Sequence, residues 1–199
     1  MKTIVTRAAA VAAAVILLTA LFSCGAKYED AEIISAASEL IEASYEINVI
    51  YFGSGLPTVP SDDTVLKHSE IAEDSPYRTK SEIMDATLAV YTEEYSEYLF
   101  EKAFTGFSVS FDEDSVDGDT VIDARYVEYG GRLVVLPIDE QDVLKLDRTY
   151  DTTGIKVVRQ RGDKATVSVP SFVKAVPDDE VELTLVKTDD GWRLDTPTY

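Results

Sequence analysis

The spacing of apolar side chains changes once along this chain, at about Gly106, and that change limits the folds open to it. Before Gly106, apolar residues recur every three or four positions, as on one side of an amphipathic helix. From Phe107 onward they alternate with polar residues, as in strands with one buried face. Because helices come first and strands second, the sequence predicts an α+β fold, with N-terminal helices packed on a curved antiparallel sheet.

Three helices are predicted before Gly106. The first covers about residues 30–52 and ends at GSGLP, residues 53–57, because glycine and proline end helices. The second begins with Ser81 as its N-cap. The third follows Thr92, whose hydroxyl can accept a hydrogen bond from a backbone N–H in the first turn of the helix. Between the first two helices lies a polar segment with one possible short strand (TVLKHSEI, 64–71). A loop of that length is uncommon unless it is a lid or a binding segment.

Turn-rich separators divide the second half into short strands. Short connections favour an antiparallel meander, because parallel neighbours need long crossovers. One core suits a chain of this size, so residues 31–199 are expected to form a single domain. The predicted strands are 107–111, 120–129, 132–138, 147–160, 164–174, 180–187 and 191–196.

The N-terminus has the pattern of a secretory signal peptide. Lys2 and Arg7 precede an apolar run from Ala8 to Leu21, which is too short to cross a bilayer core. The run ends in LFSC, which looks like the lipobox of bacterial lipoproteins, and it contains the only cysteine, Cys24.

That resemblance implies cleavage after residue 23 and a diacylglycerol on the Cys24 sulfur. Two or three acyl chains, such as palmitate, hold a protein stably on a membrane, whereas one chain is marginal. Residues 24–30 would be the tether, and the chain would lie on the outer face of the cell membrane. The alternative is an ordinary signal peptide with a cysteine nearby. With Cys24 acylated, no thiol remains for a disulfide or a zinc site.

The composition is strongly acidic. The net charge is −19, and removal of the signal peptide with its two basic residues makes it −21. Phosphate backbones would repel such a chain, so nucleic acid is excluded as a partner. A basic envelope protein remains possible.

An N-terminal amphipathic helix, two shorter helices and a C-terminal antiparallel sheet resemble the NTF2-like (cystatin-like) cone. In three stretches the chain looks like secreted lipoproteins of Gram-positive bacteria of the Clostridia type: VYTEEYSEYLFEKAF, RTYDTTGIKVV and DGWRLDTPTY. The resemblance implies a ligand-binding or dimerisation module, or an enzyme with an acid or base in the cone mouth. A weaker similarity links SPYRTKSEIMDATLAVYTEEY to inhibitors of cell-wall endopeptidases. It implies that the acidic surface binds and covers the basic face of a cell-wall hydrolase.

The candidate pocket residues lie on one helix and one strand. Tyr91, Tyr95 and Tyr98 form a helical stripe, which belongs in a core or, in a cone, along a pocket. Alternation along 120–129 puts Asp123, Arg125 and Val127 on one face of the strand. Ile122, Ala124, Tyr126 and Glu128 lie on the other face. Asp123 or Glu128, together with Tyr126, is therefore the candidate acid or base, and an outward-facing salt bridge is the alternative.

Other chemistries have little support in the sequence. His68 is the only histidine, and it lies in a polar segment without a nucleophile motif, so a surface position is expected. Acidic residues 112–119 surround Gly118, but an EF-hand register puts Ala124 where a glutamate is needed. We expect no cofactor and no metal.

The sequence thus favours a membrane-anchored, non-enzymatic module that binds a ligand or a protein at the cell envelope. An NTF2-like enzyme with a carboxylate in the cone is one alternative, and an acidic inhibitor of a basic cell-wall hydrolase is another.

Overall fold

The computed structural model describes residues 28–59, 69–105, 107–109, 120–122, 124–129, 131–135 and 146–199. Its three helices are α1 (Asp30–Tyr51), α2 (Lys80–Val90) and α3 (Glu93–Phe104). All three lie where the apolar periodicity predicts them. The prediction that Thr92 caps the third helix is confirmed, because its hydroxyl accepts from the Tyr95 N–H at 3.3 Å.

The predicted N-cap of the second helix is wrong by two residues. Thr79, and not Ser81, caps α2, and a capping box closes the turn: Thr79 Oγ1 accepts from the Glu82 N–H, and Glu82 Oε2 accepts from the Thr79 N–H. A cap at Ser81 could not form such a box, because the third residue after it is Met84, which has no carboxylate or amide to reach back.

Eleven strands follow or separate the helices in the described part of the chain. They are β1 (Thr58–Val59), β2 (Ser69–Ile71), β3 (Phe107–Val109), β4 (Thr120–Ile122), β5 (Tyr126–Tyr129), β6 (Arg132–Val135), β7 (Arg148–Tyr150), β8 (Lys156–Arg161), β9 (Lys164–Val173), β10 (Val176–Thr188) and β11 (Gly191–Leu194).

Every described strand pairs antiparallel. One sheet has the order β1-β2-β6-β5, a second has the order β11-β10-β9-β7 with β8 also paired to β9, and β3 pairs with β4. The fold is α+β, as predicted: three helices and a strongly curled antiparallel half-barrel, which is compatible with a cone-like fold.

Two long strands predicted from the sequence are each divided in the structure. The predicted strand 120–129 is β4 and β5, and residues 124–125 between them belong to neither strand, with a bend at Arg125. The predicted strand 147–160 is β7 and β8, separated by a 3-10 turn at Thr152–Gly154. Asp151 stabilises that turn by accepting from the Thr153 N–H at 3.0 Å.

The core lies between α1 and the concave face of the second sheet. Burial of each large apolar side chain contributes about 1.5–3 kcal/mol, so this layer is the main source of stability. Trp192 and Leu194 are both buried on β11. The fully buried members include Ile33, Ala37 and Ile41 of α1, Val167 and Val169 of β9, and Leu183 and Leu185 of β10.

The first half of β10 has a free edge among the described residues. β9 pairs along one side of the strand, whereas β11 pairs only from Leu185 onward. This edge contains Pro177 and three consecutive acidic residues, 178–180, and its register shifts between Asp178 and Val181.

Candidate functional site

A cleft of about 630 Å³ lies where the first sheet meets the start of α2. Its size falls within the range of small-molecule sites. It is lined by Val59, Glu70, Ile71, Glu73, Arg78, Thr79, Gly131, Arg132 and Leu133.

One wall of the cleft is the first turn of α2. The Glu82 carboxylate accepts from the backbone N–H groups of Arg78 at 2.7 Å and Thr79 at 3.0 Å, and these bonds lower the pKa of Glu82. The capping box therefore already occupies the backbone donors nearest the cleft. The Arg78 side chain is exposed, and no ion pair to its guanidinium occurs in the described part of the chain.

The opposite wall consists of β2 and β6. Arg132 Nη1 lies 3.3 Å from both carboxylate oxygens of Glu70. Both side chains are exposed, so this ion pair adds little to stability and can open to a ligand. Between the walls, Leu133 is buried, Ile71 is half-buried and Val59 is exposed. The cleft thus combines apolar side chains with charges of both signs.

Sequence reasoning did not identify the residues of this cleft individually. They come from three separate segments, and only the folded chain brings them together. The available signal was the long polar segment between the first two helices, which supplies Glu70, Glu73 and Arg78.

The predicted tyrosine stripe lies only in part on a helix: Tyr95 and Tyr98 belong to α3, whereas Tyr91 is an extended residue between α2 and α3. Burial also differs along the stripe. Tyr91 is 1% exposed, Tyr95 is half-buried and Tyr98 is 44% exposed. Ring centroids are 4.9 Å apart between Tyr91 and Tyr95 and 6.2 Å apart between Tyr95 and Tyr98. The stripe therefore runs from the core to the surface, where Tyr199 packs against Phe52 with centroids 4.1 Å apart.

At the buried end of the stripe, Tyr91 joins a hydrogen-bond network. Its hydroxyl donates to Asn48 Oδ1 at 3.0 Å, and Asn48 Nδ2 donates to Thr198 Oγ1 at 2.8 Å. Thr198 donates to Ser44 Oγ, which donates to the Ile41 carbonyl, both at 2.7 Å. Burial raises the pKa of Tyr91 to about 12, so its hydroxyl is neutral at physiological pH.

Arg125 and Tyr126 lie together at the C-terminal end of α1. Arg125 is 7% exposed and donates to the carbonyls of Tyr51 at 2.9 Å and Gly53 at 2.6 Å, whereas its Nε has no partner among the described residues. Tyr126 donates to the Ile50 carbonyl at 2.8 Å. A cation is favoured at this end of the helix dipole. Burial lowers the pKa of Arg125 without any effect on its charge at neutral pH.

The prediction that Arg125 and Tyr126 occupy opposite faces of one strand is therefore wrong. The backbone leaves the strand at residues 124–125, so both adjacent side chains turn toward α1. Glu128, predicted on the same face as Tyr126, is exposed. Asp123 lies outside the described residues, as do Cys24, His68 and the acidic segment 112–119.

Within the ranges that the structure describes, no Asp or Glu is buried, and no group of three or more potential metal ligands occurs. None of the described helices is long and apolar enough to cross a membrane.

No protein-family model matches this chain, and a search of curated proteins finds no significant match.

Proposed function

We propose that this protein is an extracytoplasmic lipoprotein, anchored through Cys24, whose NTF2-like domain is a binding module. The observation that carries the proposal is the cleft at α2, where Arg78 and Arg132 and the carboxylates of Glu70 and Glu73 surround apolar side chains. A short peptide with free termini fits this chemistry. The peptide's carboxylate would bind Arg78 or Arg132, and its ammonium group would bind Glu70 or Glu73. Its apolar side chains would pack on Val59, Ile71 and Leu133.

Binding is favoured over catalysis by the contents of the interior. The buried tyrosines 51, 91 and 126 fill space in which an NTF2-like enzyme would hold an acid or base. Burial raises the pKa of each of them, so none exchanges a proton easily near neutral pH.

The cleft is tested by calorimetry with di- and tripeptides of leucine and valine. Peptides with free termini should bind, and the same peptides acetylated and amidated should bind at least about tenfold more weakly, because they lose both charged contacts. Arg78→Gln should weaken binding, whereas Arg159→Gln, an exposed arginine on β8, should not. Equal binding of free and blocked peptides, or binding of neither, would refute a peptide site in this cleft.

The anchor is tested separately in a bacterium that processes lipoproteins. Cys24→Ser should abolish the incorporation of labelled fatty acid and move the protein from the membrane fraction to the soluble fraction. Ser23→Ala keeps a small residue before the cysteine and serves as the control. An unchanged membrane fraction in Cys24→Ser would contradict the lipid anchor.

A second candidate function is the binding of a basic protein, such as a cell-wall hydrolase. The helices support it, because α1 has five acidic residues and no basic one, and α3 has four acidic residues and one lysine. Three glutamates of α1, residues 39, 42 and 46, are exposed. Their replacement by glutamine should weaken capture of a basic hydrolase at low salt, with Glu128→Gln as the control. Binding unaffected by these substitutions and by salt would refute this candidate.

A further inference from the structure

The point at which the tether enters the fold is fixed on the β8–β9 hairpin. The backbone N–H of Tyr28 donates to Gln160 Oε1 at 3.3 Å, and Gln160 Nε2 donates to the Tyr28 carbonyl at 3.1 Å. The Tyr28 hydroxyl donates to Asp163 Oδ1 at 3.1 Å, and its ring packs edge-on against Trp192. Residue 28 is thus held at the hairpin by its backbone and by its side chain.

The length of the tether determines how far this hairpin can be from the membrane. Cys24 and Tyr28 are four residues apart, and a fully extended chain spans at most about 3.6 Å per residue. Residue 28 therefore lies within about 14 Å of an acylated Cys24. This step rests on the proposed lipid anchor.

The β8–β9 hairpin carries several basic side chains in a strongly acidic protein. Arg161 pairs with Lys164 and Arg159 pairs with Thr166 across the hairpin, which places these side chains on one sheet face. Lys164 has an ion pair to Asp195 at 3.1 Å. Arg159 and Arg161 are exposed, and neither has an ion pair among the described residues. Val158, next to them, is 51% exposed.

Acidic side chains also lie at this end, and several are already in contacts. Asp30 accepts from Gln160 at 2.9 Å, and Glu32 accepts from both Lys187 and Trp192. Asp189 and Asp190 are exposed in the turn after β10, and they reduce the attraction of this end of the protein to anionic lipids. The helices are far more acidic, with eleven acidic and two basic residues in α1, α2 and α3. An anionic bilayer therefore favours the surface of Arg159 and Arg161 over the surface of the helices.

We propose that the β8–β9 hairpin is the membrane-facing surface of this protein, with Arg159 and Arg161 on the phosphates of anionic lipids. The tether brings the hairpin to the headgroups, and the two arginines select the orientation.

This orientation directs the cleft away from the bilayer. α1 begins two residues after Tyr28 and is about 33 Å long. The first sheet contacts the opposite end of α1, through the bond from Tyr126 to the Ile50 carbonyl. Tyr126 pairs with Val135 on β6, the strand that also supplies Arg132 and Leu133 to the cleft. The cleft is thus near the end of α1 that is distant from the membrane.

The test uses the full acylated protein in vesicles, and it depends on the absence of a second cysteine. Acylation blocks the Cys24 thiol, so Val158→Cys introduces one reactive position for a fluorophore. Glu97→Cys, on the exposed side of α3, is the matched control. The probe is a vesicle of phosphatidylcholine with one quarter phosphatidylglycerol and a headgroup-attached quencher. A second set of vesicles contains phosphatidylcholine alone.

Quenching should be severalfold stronger at position 158 than at position 97 on anionic vesicles. Arg159→Gln and Arg161→Gln should each lower the preference for this orientation by roughly fivefold, and high salt should act in the same direction. Equal quenching at the two positions, with protein bound to the vesicles, would overturn the orientation and leave the anchor intact. Labelling at Cys24 itself and failure to float with vesicles would overturn the anchor and the orientation together.

Discussion

At the scale of single residues, stability depends on polar groups that are buried but paired. The network of Ser44, Asn48, Tyr91 and Thr198 joins α1, the end of α2 and the residues after β11. Each member lacks water as an alternative partner, so the loss of one hydroxyl leaves several groups unsatisfied.

Thr198→Val tests this network, because valine keeps the shape of threonine and removes the hydroxyl. The substitution should lower the free energy of unfolding by about 1–3 kcal/mol, since Asn48 and Ser44 lose a partner inside the protein. Chemical denaturation measures the loss. Thr149→Val, at an exposed position of β7, should change stability by less than about 0.5 kcal/mol. Equal effects would mean that the network contributes nothing.

Gly55 is a second residue whose position is set by a buried group. Its φ is +82°, and an added Cβ would lie 2.7 Å from Arg125 Nη2. Gly162, in the β8–β9 turn, also has a positive φ but has open space around it. Gly55→Ala should therefore cost about 1–3 kcal/mol more than Gly162→Ala, because only the first displaces the guanidinium. Thermal unfolding of both variants checks this, and equal losses would exclude the steric contribution.

At the scale of elements, the sequence predicted all three described helices but not the breaks in the strands. The period of 3.6 identified α1, α2 and α3, because each buries one continuous stripe. The break at residues 124–125 was not predictable from alternation, because it depends on Arg125 bonding to carbonyls more than 70 positions earlier in the chain. The cleft was not predicted for the same reason: its walls are distant in sequence.

The N-cap of α2 can be tested directly, because the sequence predicts Ser81 and the structure has Thr79. Thr79→Ala should lower the free energy of unfolding by about 1 kcal/mol, since it removes the N-cap hydroxyl. Ser81→Ala should be neutral or slightly stabilising, because alanine has the higher helix propensity. Urea denaturation distinguishes the two. A larger loss for Ser81→Ala would restore Ser81 as the cap.

At the scale of the whole molecule, charge is distributed unevenly. The helices are acidic, whereas β8 and the start of β9 are basic. Repulsion within the helical layer opposes folding, and added salt screens it.

The melting temperature should therefore rise between about 10 mM and 500 mM sodium chloride, a range over which the Debye length falls several-fold. Replacing glutamates 39, 42 and 46 of α1 by glutamine should reduce this rise, because less repulsion remains to be screened. Glu180→Gln is the control, since Glu180 forms an ion pair with Lys156 at 3.4 Å and salt weakens that attraction. A melting temperature independent of salt would contradict the prediction.

The free edge of β10 has a consequence for behaviour at high local concentration. Proteins tethered to one membrane meet each other often, and an open strand edge is a template for aggregation between copies. Pro177 removes one backbone donor, the acidic residues 178–180 repel an identical edge, and the register shift twists the strand. The proposed lipid anchor would crowd these molecules on one surface, where this edge should keep them separate instead of extending their sheets into a polymer.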